Sequence, residues 1–160
     1  MSIINYVTNS GFESGLTGWV TSGTVNLNTT YSNTGLNSAQ VAGGTSGSYI
    51  YKLVSVPDSN SFELMVSLSK NGSGLGPSVI IGVFYFTSGL VFQNTGLVAT
   101  VPSRLPDGTA NNWKTAYFNV EPAFSGATIA QIFIMNSSLA NSVDLFVDDV
   151  QLLNSALDLG

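Results

Sequence analysis

Apolar and polar residues alternate with a period of two through most of this chain, and clusters of Gly, Asn, Ser and Pro separate the alternating runs. A period of two sends successive side chains to opposite faces of a strand, while those clusters supply the backbone angles of tight turns. The pattern predicts strands near 24–30, 38–42, 48–56, 61–69, 78–87, 91–101, 113–120, 128–136 and 142–153. Turns fall between them at Ser32-Asn33-Thr34-Gly35, Ala42-Gly43-Gly44, Pro57-Asp58-Ser59-Asn60, Asn71-Gly72-Ser73-Gly74 and Pro106-Asp107-Gly108. No stretch keeps a helical period. The expectation is an all-β, two-sheet antiparallel β-sandwich, with about nine strands in the manner of a jelly roll. A length of 160 residues suits one domain, with its core over 5–153 and a short tail at 154–160.

Two strands break the alternation. In Val79-Ile80-Ile81-Gly82-Val83-Phe84-Tyr85-Phe86 both faces are apolar, and Ile132-Phe133-Ile134-Met135 behaves alike. A sandwich strand normally buries one face and wets the other. Either a loop covers the second face, or that face meets a partner, which would be a sugar ring or another copy of the chain. Phe84, Phe86 and Phe133 are the candidate self-association residues. Tyr49 and Tyr51 share a strand face because they lie two residues apart, and they form the candidate sugar platform, with Tyr85 and Tyr117 as extensions. Trp19, directly after Gly18, reads as a core residue. Trp113, at a strand entry, reads as a packing residue.

Charge narrows the choice of partners. Only 8 % of residues are charged, the net charge is −5, and the basic residues Lys52, Lys70, Arg104 and Lys114 are scattered. Such a chain has no footprint for a phosphate backbone, so nucleic acid is not an expected partner. Cysteine and histidine are both absent, which removes disulfides, Ser-His and Cys-His nucleophiles and the usual zinc sites. Glu63 and Glu121 have no evident catalytic partner, and no phosphate-binding loop motif occurs, so no enzyme activity is expected. The start of the chain does not read as a secretory signal. The apolar run over 79–92 is interrupted by glycine and hydroxyl residues and falls short of the ~20 residues of a membrane helix, so no membrane insertion is expected.

The two ends carry a resemblance. The start, Asn9-Ser10-Gly11-Phe12-Glu13 through Gly18-Trp19, and the finish, Val147-Asp148-Asp149-Val150, resemble those of CenC-type jelly-roll carbohydrate-binding modules. With Tyr31-Ser32-x-x-Gly35, Ser61-Phe62-Glu63-Leu64, Val83-x-Tyr85-Phe86 and Val101-Pro102-x-Arg104-Leu105-Pro106, the series also resembles a bacterial domain found N-terminal to collagen-like repeats in spore-surface proteins of Bacillota. The resemblance implies that both ends pack side by side. It further implies one structural calcium held by Glu13, Asp148 and carbonyls from Asn33 to Gly35, since calcium takes six to eight hard oxygens. Adjacent strand residues face opposite ways, so Asp148 and Asp149 share one site only across a bulge. The resulting expectation is a non-catalytic assembly module at a cell or spore surface, homo-oligomeric as a trimer or filament. The alternative is a carbohydrate-binding module that recognises a glycan through an aromatic groove.

Overall fold

The computed structural model describes residues 2–101 and 104–155; Pro102 and the tail residues 156–160 lie outside them. Ten strands make up the described fold: β1 (Val20–Ser22), β2 (Val25–Asn28), β3 (Ser38–Val41), β4 (Ser48–Ser55), β5 (Phe62–Lys70), β6 (Ser78–Phe86), β7 (Phe92–Val101), β8 (Lys114–Val120), β9 (Ile129–Ser137) and β10 (Leu145–Asn154). All pairings between them are antiparallel. They form two five-stranded sheets, ordered β1-β4-β9-β6-β7 and β2-β3-β10-β5-β8. The inner faces interlock through Ile50, Ile81, Val83, Ile132 and Ile134 of the first sheet and Leu64, Val66, Leu145, Val147 and Leu152 of the second, all fully buried. That is the alternation expected of a jelly-roll sandwich.

Nine of the ten strands fall where the period-two pattern places them. The exception is β1, whose three residues Val20-Thr21-Ser22 are too few to display a period and follow directly on Trp19. It is specified by its neighbour, pairing Val20 with Tyr51 and Ser22 with Tyr49 at the edge of the first sheet.

The chain ends meet as the resemblance implies. Asn5 bridges to Leu153, and the Tyr6 and Val150 amides donate to the Leu152 and Ser10 carbonyls at 2.9 Å each. The Val-Asp-Asp-Val carboxylates stand in the middle of β10. The loop before β1 is organised by Asn9, in a left-handed conformation, whose side-chain amide donates to the carbonyls of Gly15 and Thr17. The Trp19 indole N–H donates back to the Asn9 carbonyl at 3.1 Å, and the Phe12 and Trp19 rings pack 5.1 Å apart in the core. Lys52 turns inward from β4 beneath this loop. Its ammonium donates to the carbonyl and hydroxyl of Thr8 and lies 5.7 Å from the centre of the Trp19 ring, and burial lowers its pKa.

Candidate binding face and acidic junction

Register builds the first candidate site. Across the first sheet one rung aligns Val20, Tyr51, Phe133, Gly82 and Val98, and the next aligns Ser22, Tyr49, Met135, Ile80 and Thr100. These residues point away from the core, because their strand neighbours Ile50, Ile132, Ile134, Ile81 and Val83 are the buried ones. Phe84 and Phe86 occupy the following outward positions of β6. Tyr49 and Phe133 pack ring to ring at 5.0 Å, Tyr49 and Tyr51 stack at 6.5 Å, and Phe86 meets Phe92 edge-on at 5.9 Å. Gly82 makes room for this surface: a Cβ there would stand 2.5 Å from the Phe84 ring. Tyr51, Leu53, Phe86, Leu90 and Gln131 line a shallow groove of about 170 Å³ on the same face. Lys52 is the one charged residue of these five strands, and it faces inward. The outer face is therefore uncharged throughout.

The sugar-platform candidates Tyr49 and Tyr51 thus share a single face with the self-association candidates Phe84, Phe86 and Phe133. The second apolar side of β6 is shielded largely by neighbouring rings, and Phe84, Phe86 and Phe133 remain half-buried. Two proposed extensions fail. Tyr85 is fully buried between the sheets, where its hydroxyl donates to the Glu121 carbonyl at 2.7 Å and burial, aided by the Glu121 charge, raises its pKa. Tyr117 lies on β8, in the opposite sheet.

The second candidate site is the junction of the chain ends. Its acidic residues close on the loop over 33–37. The Glu13 carboxylate accepts from the amides of Leu36 and Asn37 at 3.0 Å. At Gly35, which has a positive φ, a Cβ would fall 2.4 Å from Glu13 Oε1, so a side chain there would be strained and would displace the carboxylate. Asp148 Oδ2 accepts from the amides of Asn33 and Thr34 at 2.8 and 3.1 Å, and Asp148 Oδ1 accepts from the Asp149 amide. The β10–β5 register shifts between Asp148 and Gln151, and Asp149 takes a φ of 47°. That bulge turns Asp149 toward the same loop, where its oxygens accept from the Asn33 side-chain amide at 2.8 Å and the Thr34 hydroxyl at 2.5 Å.

Glu13, Asn33, Gly35 and Asp148, the set implied by the resemblance, thus lie around one loop, and Asp149 joins them. The only sequence signal for Asp149 was the Asp-Asp pair itself, which needs a bulge to act together. Burial is the main cause pushing the Asp148 carboxyl up to about 6; the neighbouring Asp149 charge adds to it, while the amide bonds from Thr34, Asp149 and Asn33 oppose it. In donor chemistry the residues suit calcium, offering the carboxylates of Glu13, Asp148 and Asp149, whose hydrogen bonds come from amides and a hydroxyl. Among the described residues no three acidic side chains converge on one point able to hold a metal, so loop carbonyls would have to complete such a site. As it stands, the junction is a clamp of carboxylates on backbone amides.

Comparison with known proteins places the fold. No family model matches the chain, and no curated protein matches it. Among solved structures, TmCBM61 in complex with β-1,4-galactotriose is similar at a TM-score of 0.68 and 19 % identity, over 95 % of this chain and 99 % of that one. A cyclase from Fischerella sp. TAU is similar at a TM-score of 0.73 and 14 % identity, over 96 % and 98 %. The enzymatically active domain of Bacteriophage CBA120 tailspike protein 4 is similar at a TM-score of 0.73 and 13 % identity, over 93 % of this chain; the chain spans about a fifth of that protein, 21 %. Carbohydrate-binding modules of families 16 and 22 are matched as well. At these identities the likeness is one of fold: a two-sheet antiparallel jelly roll of the kind carbohydrate-binding modules use.

Proposed function

We propose that this protein is a non-catalytic carbohydrate-binding module that takes an uncharged polysaccharide on the outer face of the β1-β4-β9-β6-β7 sheet. The observation that carries this reading is the convergence of Tyr49, Tyr51 and Phe133 on one uncharged face. Pyranose rings present apolar C–H faces that pack on aromatic rings, and their hydroxyls need only a few placed polar groups, for which Gln131 and the two tyrosine hydroxyls are available. The absence of charge from this face disfavours uronic-acid and sulfated polymers. Support comes from the matched modules, one solved with galactotriose and another described as xylan-binding. Depletion of the protein from solution by a panel of neutral polysaccharides (xylan, galactan, cellulose, mannan), with polygalacturonate as the charged member, tests the reading. Retention by at least one neutral polymer and not by polygalacturonate is expected. No retention, or retention by polygalacturonate alone, contradicts it.

Self-association is the second reading, favoured by the exposed apolar rim that Leu90, Val91, Phe92 and Val98 add to the same face. In that reading Phe84, Phe86 and Phe133 seat a second copy, the surface module of the collagen-linked resemblance. Sedimentation at high concentration tests it: dimers or larger species that dissociate on Phe84→Ser are expected, and a strict monomer contradicts it. A structural calcium at the junction belongs to the proposal as well. Glu13, Asp148 and carbonyls over 33–35 would hold it, and its chemistry there would be to tie the two chain ends together.

A further inference from the structure

We propose that the outer face of the second sheet carries a separate cleft for a neutral polyhydroxylated ring, such as one sugar unit. The cleft, about 380 Å³, lies between two rungs of β10, β5 and β8. One rung aligns Asp148, Ser67 and Thr115; the other aligns Gln151, Met65 and Tyr117.

Three features make it a binding surface. The bulge in β10 turns Asp149 out toward the cleft, and each of its oxygens accepts a single hydrogen bond from the 33–34 loop. A carboxylate has about four lone-pair sites, so two are left for incoming hydroxyls. Ser67, almost fully buried, accepts from Asn33 at 3.1 Å and lies 3.5 Å from the Thr115 hydroxyl, so the floor is polar and fixed by its own bonds. Met65 supplies an apolar flank.

An acceptor pair beside the apolar Met65 side chain is the complement of a sugar, with donors on its rim and C–H groups on its faces. An anion is disfavoured, because among the described residues Asp149 is the only charged one lining the cleft. A bare divalent cation is disfavoured too, since no three acidic side chains converge there among the described residues. The cleft shares no residue with the aromatic face of the first sheet.

The test is an NMR titration of the Tyr51→Ala protein, in which the first face is disabled, following the Met65 methyl group. The probes are cellobiose, lactose, maltose and xylobiose, with calcium chloride as a separate arm. A saturable shift with at least one disaccharide is expected, weakened about tenfold by Gln151→Ala, as for loss of one hydrogen-bonding partner. Silence toward all four sugars overturns the proposal, as does a shift produced by calcium alone or one that Gln151→Ala leaves unchanged.

Discussion

Tyr49 on β4 and Phe133 on β9 face each other across two antiparallel strands with ring centres 5.0 Å apart, while the register seats Tyr51 directly opposite Phe133. Three rings from two strands therefore form one contiguous patch. Removing the shared member should damage it most. Phe133→Ala is expected to weaken polysaccharide retention about tenfold or more, the loss typical of a central aromatic anchor, with near-native far-UV circular dichroism. Affinity electrophoresis in polysaccharide-containing gels reads it directly.

Gly82 offers a way to disturb the same face from below. A methyl group there would collide with the far end of the Phe84 side chain, which borders solvent and can swing aside. Gly82→Ala should therefore cost about 1 kcal/mol of stability or less. Because Phe84 moves, binding or self-association through this face should change by more than stability does. Paired urea unfolding and binding measurements separate the two effects.

Lys52 is nearly buried, and its ammonium bonds to Thr8 under the Trp19 ring. Truncation to alanine leaves a cavity and strips the Thr8 carbonyl of its donor, so Lys52→Ala should cost about 2 to 3 kcal/mol. Methionine fills the volume and removes the desolvated charge, so Lys52→Met should cost about 1 kcal/mol or less. Urea unfolding of both variants checks the order.

Asp148 makes stability depend on pH. Its carboxyl titrates near 3.8 when unfolded and about 6 when folded. Between those values the native state holds a proton that the unfolded chain has lost, so this group's contribution falls as pH rises through the window and is level above it. The full change is at most about 3 kcal/mol. Unfolding free energies at about pH 4 and about pH 7 should show this decline for the native sequence, and Asp148→Asn should lack it.

Calcium would act against that trend, because its ligands must be ionised. If Glu13 and Asp148 hold the ion, added calcium raises the melting temperature, chelation reverses the rise, and the effect grows above about pH 6. A melting temperature indifferent to both calcium and chelator contradicts the calcium proposal.

Much of this fold was legible because burial on one side alternates along a strand such as β4, and because turn residues bound β6 and β9 even though both of their faces are apolar. Where only three residues pair, as in β1, the sequence holds no period and tertiary contact decides. Lys52 shows the same limit. Alternation assigns it to the inner face with Ile50 and Val54, yet only the loop over 8–19 explains how a charge is tolerated there. Neither could side-chain identity say that Tyr49, Tyr51, Phe84, Phe86 and Phe133 share a surface, because that follows from the order β4-β9-β6 and from register. The acidic junction was legible in its members Glu13, Asn33, Gly35 and Asp148. The turn of Asp149 into it depends on a left-handed backbone conformation, which aspartate tolerates but which its identity alone does not announce.

The most direct test of the aromatic face compares native protein with the Tyr49→Ala/Tyr51→Ala variant, measuring equilibrium depletion by the neutral polysaccharide that retains the native protein. The account expects the variant to stay folded and lose most of its retention. Retention equal to that of the native protein would contradict it.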